Sequence, residues 1–148
     1  MTPMVFSSTL AMTSPGSTTK LDTKAWRVLG QLGYFHRFQK GELGGLIGFD
    51  PATGKVDFHY PWRARLRDSV NASTPIVAGD EVFISECYGP GSSLLKVRPG
   101  GYEIVWRDPP TRDKSLQLHW NTPIYHEGYL YGSSGRHLSE AELRCVEW

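Results

Sequence analysis

The chain has few cysteines, no long apolar run and almost no net charge, and each of these shortages excludes a class of protein. Its 148 residues include only two cysteines, too few for a disulfide framework or a cysteine-ligated zinc site. No apolar run approaches the roughly 20 residues that a membrane-spanning helix needs. The formal net charge is +1, so no long-range field attracts nucleic acid or an anionic membrane.

Histidine and arginine are present, but without the spacing that would give them a specific chemistry. The five histidines show neither HxxxH nor HExxH spacing, so no metal site is predicted. The run Trp62–Arg67 is basic, but Asp68 follows it and the chain is nearly neutral. A solvated connector is therefore favoured there over a nucleic-acid interface. Cys87 and Cys145 are predicted to be two unlinked, half-buried thiols, which do not identify the redox compartment.

The residues that are abundant indicate an all-β fold. Aromatic residues make up 12% of the chain, and 16 glycines and 10 prolines interrupt it. Aromatic runs broken by Gly, Pro, Asn and Asp are typical of short strands joined by tight turns. The strand-like runs lie at 45–49, 55–60, 74–77, 81–85, 93–97, 102–106, 122–125, 129–132 and 142–146.

Composition divides the chain into three parts. Residues 1–24 are rich in Ser, Thr and Pro and are predicted to be a disordered leader. Residues 25–44 are ambiguous, because their loose helical spacing contains two glycines that each weaken a helix by about 1 kcal/mol. That part is compatible with a helix, with a poorly ordered segment or with a degenerate blade strand. Residues 45–148 carry the strand-like runs and the repeat described next.

A repeat of 48 residues runs through the third part of the chain. Three segments recur with this one offset and no gap: 74–77 as 122–125, 82–83 as 130–131, and 95–97 as 143–145. A period of about 40 to 50 residues that holds four short strands fits one blade of a β-propeller. The sequence therefore predicts a partial propeller of two to three four-stranded antiparallel blades.

Each blade is a small sheet that cannot bury both of its faces alone and has to stack on a neighbour. The register predicts a turn and another strand where the sequence ends at Trp148. Three alternatives stay open: a truncated gene model, a ring closed by other copies, or a fragment that folds poorly. The expected partners are further blades or another protein, with self-association through open blade faces.

The segment 48–58, GFDPATGKVDF, resembles the repeat of pyrroloquinoline-quinone-type propellers, the quinoprotein-like family within the WD40/YVTN-like folds. The usual form of that repeat is small–x–Asp–x–x–Thr–Gly–Lys–x–x–Trp. The matching residues are Asp50, Thr53, Gly54 and Lys55. Phe58 stands where the family prefers Trp, and a degenerate copy one period later closes on Trp106. The resemblance implies that Asp50 and Gly54 shape a tight turn and that the closing aromatic packs between blades.

The resemblance is informative about fold and weak about activity. Residues 71–148 look like exported propeller proteins of planctomycete-type bacteria, whose function is unknown. Quinone-dependent dehydrogenases of this superfamily use an axial calcium ion, a catalytic Asp and a pair of adjacent cysteines, and this chain has no adjacent cysteines. No cofactor is predicted, and pyrroloquinoline quinone or calcium is implied only for a complete propeller.

The sequence favours a non-enzymatic scaffold that binds a protein or a ligand through its blade loops. The first alternative is a truncated piece of a quinone- or calcium-dependent oxidoreductase, and the second is a remnant without function. The segment 1–14 is a poor signal peptide. The chain would stay in the cytoplasm if this start is real, and would be periplasmic or exported if the true N-terminus is missing.

Two neighbouring corners of the repeat carry the candidate ligand-binding residues. These residues are Glu86, Tyr88, His119, Trp120, Asn121, Arg136 and His137. They flank the ends of equivalent hairpins, so they are predicted to line a funnel mouth and to hold an anionic or sugar-like ligand by charge-assisted bonds. The competing interpretation is structural: the histidines bond turn carbonyls, Trp120 packs between blades, and Glu86 pairs with an arginine.

Overall fold

A computed structural model describes residues 29–32, 44–50, 53–66, 69 and 71–148 of the chain. The described elements are all strands, and no helix occurs among the described residues. Their bounds are β1 Leu29–Leu32, β2 Gly45–Phe49, β3 Val56–Pro61, β4 Ile76–Ala78, β5 Glu81–Glu86, β6 Gly91–Arg98, β7 Gly101–Arg107, β8 Ile124–His126, β9 Tyr129–Ser134 and β10 Glu142–Glu147. The predicted leader, residues 1–24, lies outside the described residues.

The strands form three open antiparallel sheets, which confirms the all-β prediction. The first sheet has the order β1-β2-β3, the central sheet β4-β5-β6-β7, and the third β8-β9-β10. Within each sheet the strands pair in their order along the chain, so each sheet is a simple meander. Within the ambiguous part, 25–44, residues Leu29–Leu32 form a strand that pairs with β2; most of that part lies outside the description.

The first hairpins of the central and third sheets repeat at the predicted offset of 48 residues. In the central sheet Val77 pairs with Val82, and in the third sheet Tyr125 pairs with Leu130. The bounds of β4 and β8, and of β5 and β9, correspond residue for residue. Thr74 and its counterpart 48 residues later, Thr122, lie just before β4 and β8. The backbone N–H of Thr74 donates to Oγ1 of Thr122 at 3.3 Å.

The third segment of the predicted repeat is shifted by three residues, so the gapless match is wrong there. Val82 pairs with Leu95, whereas its counterpart Leu130 pairs with Val146 and not with Leu143. The turn between β5 and β6 spans 87–90, and the turn between β9 and β10 spans 135–141. These extra turn residues displace β10 along the sequence while its place in the sheet is kept.

A β-bulge recurs beside the two closing aromatic residues. Phe58 pairs with Gly48, and the next pair of that ladder skips Asp57. Trp106 pairs with Leu94, and the next pair skips Val105. In both sheets the residue that the ladder skips therefore directly precedes the closing aromatic. A bulge bends its strand and increases the local twist, so the outer strands of the first two sheets are shaped alike.

The turn within the segment 48–58 is closed by backbone bonds. The N–H of Gly54 donates to the carbonyl of Asp50 at 2.7 Å, and the N–H of Asp50 donates to the carbonyl of Lys55 at 2.9 Å. The N–H of Lys55 also donates to Oγ1 of Thr53 at 3.3 Å. Gly54 has a φ of +70°, a left-handed conformation that glycine adopts without a Cβ penalty.

The central sheet is buried on both faces, and each face packs against one flanking sheet. Because side chains alternate along a strand, Val82 and Ile84 of β5 face the first sheet and Phe83 faces the third. The first cluster contains Leu46, Tyr60, Trp62, Val82, Ile84 and Leu95, with Phe58 and Tyr102 packed against it. The second contains Phe83, Leu94, Leu116, Leu118 and Leu130, with Ile76, Trp106, Val146 and Trp148 packed against it.

The far face of the third sheet is not covered by any described residue. Ile124 and Tyr131 are paired across β8 and β9 and so lie on the same face, where they are 68% and 39% exposed. Leu143 of β10 is 85% exposed. The two cysteines are unlinked as predicted, but neither is half-buried: Cys87 is buried and Cys145 is exposed. Among the described residues, no helix has the length and apolar character needed to cross a membrane.

Candidate functional site

Three loop segments meet at one end of the sheets and carry the candidate site. They are the β5–β6 turn (87–90), the connection from β7 to β8 (108–123) and the β9–β10 turn (135–141). In a meander of antiparallel strands, the turn after the second strand and the exit of the fourth strand lie at the same end of the sheet. We call this end, with these three segments, the loop end.

Two buried serines hold the β7–β8 connection in place. The Ser85 hydroxyl donates to the carbonyl of Leu116 and accepts from the N–H of Leu118, each at 3.1 Å. The Ser134 hydroxyl accepts from the N–H of Gln117 at 2.9 Å. Ser85 is the penultimate residue of β5 and Ser134 is the last residue of β9. The connection is therefore bonded to the central sheet and to the third sheet. This fixes the backbone immediately before His119.

The imidazole of His119 is the centre of an aromatic cluster at the loop end. Its Nε2 lies 2.9 Å from the hydroxyl of Tyr88 and accepts a 2.7 Å bond from the indole N–H of Trp120. An indole can only donate, so Nε2 carries no proton and the Tyr88 hydroxyl must also donate to it. In the neutral tautomer the proton of His119 is therefore on Nδ1.

Asn121 and Arg136 complete the cluster from two different loops. The Asn121 side chain accepts from the N–H of His119 at 3.2 Å and donates to the carbonyl of Ser133 at 2.8 Å. It thereby ties the His119 backbone to β9. The guanidinium of Arg136 lies 4.7 Å from the centre of the Tyr88 ring, a cation–π geometry. His137 is close enough to influence the charge of His119. These residues, Tyr88, His119, Trp120, Asn121, Arg136 and His137, are the His119 cluster.

The surroundings of His119 favour its neutral form. Partial burial lowers the pKa of His119 from its ordinary value of 6.5, and the positive charges of Arg136 and His137 lower it further. Both acceptor contacts at Nε2 also require the neutral ring. The cluster therefore presents a fixed, uncharged imidazole between an exposed indole and a guanidinium, and Trp120 is 61% exposed.

Glu86 lies apart from the His119 cluster. Alternation along β5 places Glu86 on the face opposite Ser85, towards the first sheet. It is fully buried, and one carboxyl oxygen accepts a short bond from the hydroxyl of Ser69. The other, Oε2, has no hydrogen-bond partner among the described residues. Burial raises the pKa of Glu86 above 4.5; the Ser69 bond, the backbone of Ala64 and the charge of Arg63 oppose that rise.

A cleft of about 770 Å³ opens beside Tyr88 at the same loop end. Its walls come from 62–66, from 88–90 and from 107–111 with Lys114. The basic run that the sequence assigned to a solvated connector therefore forms one wall of a cavity. The indole N–H of Trp62 donates to the carbonyl of Gly91 at 2.9 Å, which anchors that wall to the central sheet.

Sequence reasoning missed the residues that build this end. Ser85, Ser134 and Gln117 look like ordinary strand and loop residues, and only their place at strand ends beside a connection identifies them. Arg107 ends β7 and Asp108 follows it, and the repeat places that exit at the same end as the run 62–66. The strand topology could have indicated that these residues lie together, whereas no local sequence motif does.

Neither a metal-ligand group nor a similarity to a known protein assigns a role to this site. Within the described part of the chain, no group of three or more His, Cys, Asp or Glu side chains could hold a metal ion. Comparison with family models, with curated proteins and with solved structures finds no match for this chain. The site has therefore to be interpreted from its own chemistry.

Proposed function

We propose that the three sheets are blades of a β-propeller of the quinoprotein-like type. Three observations support this: the repeated register of β4–β5 and β8–β9, the bulge that precedes both Phe58 and Trp106, and a central sheet packed on both faces. Stacking of meander sheets face to face is the organisation of propellers. The Gly48–Phe58 segment matches the turn chemistry of that repeat.

The uncovered face of the third sheet fits this proposal and gives it a test. Ile124 and Tyr131 correspond in register to Ile76 and Phe83, which the third sheet covers in the central blade. A second copy of the chain would cover the same apolar face. Sedimentation velocity should show a concentration-dependent dimer or larger ring that Ile124→Ser with Leu143→Ser abolishes. A monomer at every concentration would argue against blade stacking at this face.

The blades act as a non-enzymatic scaffold that binds a protein partner at the His119 cluster. The main support is that the lone pair on Nε2 of His119 already accepts hydrogen bonds from Tyr88 and Trp120. Because that lone pair is occupied, His119 is not free to take a proton from a substrate. Tyr, Trp and Arg are the residue types that dominate binding energy at protein interfaces. Here all three meet on a fixed platform.

The platform selects for a partner that presents a carboxylate beside an apolar side chain. Arg136 and His137 are exposed and supply the cationic edge. The indole of Trp120 supplies apolar area at low entropic cost, because it is already held by His119. A peptide with Asp or Glu next to Leu or Phe matches both parts.

A phage-displayed peptide library panned on the immobilised protein tests this function. We expect enriched peptides that pair an acidic residue with an apolar one. Trp120→Ala and Arg136→Ala should each weaken their binding by at least about tenfold, the effect of removing one interface hot spot. Tyr129→Ala is the matched control, because Tyr129 is an exposed aromatic on the far face of the third sheet. No enrichment, or equal binding by Trp120→Ala, refutes the assignment.

A further inference from the structure

The cleft beside Tyr88 carries an excess of positive charge. Its lining includes three arginines and one lysine, which are Arg63, Arg65, Arg107 and Lys114. Arg65 and Arg107 are exposed, and neither forms an ion pair within the described part of the chain. Arg63 and Arg65 lie in the connection after β3, whereas Arg107 ends β7 and Lys114 lies in the connection that follows. The fold therefore brings these cations together around one cavity.

The single acidic residue in the lining is already bonded within the protein. Oδ2 of Asp108 accepts from the N–H of Ser92 at 2.6 Å and from the Ser115 hydroxyl at 3.2 Å. Its Oδ1 accepts from the N–H of Ser115 at 3.0 Å. Asp108 thus fastens the β7–β8 connection to the start of β6. Its charge offsets only part of the charge of the four cations.

Glu86, which lies behind Arg63, offsets less charge than an ordinary carboxylate would. It is fully buried, and burial raises its pKa, so its neutral form persists to higher pH than that of a solvated glutamate. The cavity is therefore cationic over the pH range in which Glu86 holds its proton, and it stays cationic when Glu86 ionises, because four cations then face two anions.

The walls of the cleft also offer apolar surface. Trp62 and Tyr88 contribute aromatic rings, and Pro90, Pro109 and Pro110 contribute rigid apolar groups. The volume, about 770 Å³, lies within the range of small-molecule sites. A bare counterion would use the charges and leave the apolar walls unused.

We propose that this cleft binds a small organic anion, with its phosphate or carboxylate group held by Arg65 and Arg107 and its carbon skeleton against Trp62 and the prolines. Guanidinium groups suit such ligands because they donate two parallel hydrogen bonds to an anionic group. Phosphate esters and carboxylic acids share this chemistry. The site is separate from the His119 cluster except at Tyr88, and it does not depend on the partner proposed above.

Isothermal titration calorimetry at low ionic strength and about pH 7.5 tests the proposal, because phosphate monoesters and dicarboxylates are then largely dianionic. The probes are phenyl phosphate, phthalate and inorganic phosphate. We expect phenyl phosphate or phthalate to bind more tightly than inorganic phosphate, and the better of the two identifies the preferred anionic group. Arg65→Gln and Arg107→Gln should each weaken that probe about tenfold.

Arg98→Gln is the matched control. Arg98 lies at the β6–β7 turn, at the opposite end of the central sheet, where it pairs with Glu103 at 2.6 Å. Its loss changes the net charge equally, so it should leave the affinity for the probe within about twofold. Circular dichroism and the urea midpoint of each variant establish that the fold is kept.

Three results would overturn the inference: no binding of either organic probe by the unaltered chain, equal weakening by Arg98→Gln, or unchanged binding by the Arg65→Gln, Arg107→Gln double variant. Inorganic phosphate binding as tightly as both organic probes would overturn the organic part of it. None of these variants alters Trp120 or Arg136, so failure of this site and failure of peptide binding can be told apart.

Discussion

The indole N–H of Trp62 donates a 2.9 Å hydrogen bond to the carbonyl of Gly91 and joins the first sheet to the central one. Trp62 follows β3, and Gly91 is the first residue of β6. Gly91 has a φ of +78°, and a Cβ placed there would lie 2.3 Å from Oδ2 of Asp108 and 2.7 Å from the side chain of Lys114. The contact between the two sheets therefore depends on a residue without a side chain.

Gly91→Ala should destabilise the protein by about 2–5 kcal/mol. A left-handed non-glycine residue costs about 1–2 kcal/mol, and the steric conflict with Asp108 adds about 1–3 kcal/mol, because three hydrogen bonds hold that carboxylate. Gly100→Ala is the matched control, with a φ of +82° and nothing within 4 Å of the added Cβ. Urea unfolding measures both variants; equal losses would show that Asp108 yields freely.

Ser85→Ala should destabilise the protein by about 1–3 kcal/mol, because it leaves the buried N–H of Leu118 without this hydrogen bond. The carbonyl of Leu116 keeps its 2.7 Å bond from the Ser92 hydroxyl. Ser133, its counterpart one repeat later, is exposed, so Ser133→Ala should change stability by less than about 0.5 kcal/mol. Urea unfolding gives both values. If the two variants are equally stable, Ser85 does not hold the β7–β8 connection.

The sequence predicted the parts of the fold that are set by local chemistry. The turn at Asp50–Lys55 and the hairpins before Phe83 and Tyr131 follow from glycine positions and alternating side chains, which act within a few residues. The pairing of β10 did not follow, because the length of the β9–β10 turn decides it. Leu143 and Val146 are both acceptable strand residues, so the pattern alone could not choose between them.

The candidate site was predicted in part, for a related reason. Tyr88, His119 and Arg136 come together because equivalent corners of neighbouring sheets meet, which the repeat implies. Glu86 points away from the cluster because strand alternation places it on the face opposite Ser85. The repeat presents the corner that contains Glu86 and Tyr88 as a single unit, and so does not separate the two faces. The cleft was missed because Arg65 and Arg107 are far apart in sequence and only the stacking of two sheets joins them.

Glu86→Gln should stabilise the protein increasingly as the pH rises above about 4.5. The pKa of Glu86 is raised from 4.5 in the folded state, so the folded state holds this proton over a range in which the unfolded state releases it. The stability of the unaltered chain then falls with pH through that window, whereas glutamine does not titrate. The two stability curves should diverge above about pH 4.5 and run parallel above the folded pKa.

Thermal unfolding between about pH 4 and pH 9 measures this divergence. Glu140→Gln serves as the control, because Glu140 is an exposed glutamate in the β9–β10 turn and its curve should follow that of the unaltered chain. The stability curves of Glu86→Gln and of the unaltered chain could instead converge as the pH rises. That result would mean that Arg63 and Ser69 stabilise the carboxylate by more than burial destabilises it.

The titration of His119 should respond to Arg136, which lies over the ring of Tyr88. Burial, Arg136 and His137 lower the pKa of His119 below 6.5, so the neutral ring is favoured in the folded state. The stability that the neutral His119 ring contributes to the folded state is complete above about pH 6.5. It is lost as the pH falls through the pKa of His119 in the folded state. Arg136→Gln removes one nearby positive charge, and the pKa of His119 should rise towards 6.5.

Proton–carbon NMR of the imidazole Cε1 position follows this titration residue by residue, with His119→Asn to assign the signal. Arg98→Gln removes an equal charge at the far end of the central sheet and should leave the midpoint of His119 unchanged, because solvent screens charges beyond about 10 Å. A midpoint that stays fixed in Arg136→Gln would show that burial alone sets the pKa. Arg136 would then act on Tyr88 without reaching His119, and the cationic edge proposed for the binding platform would lie further from its centre.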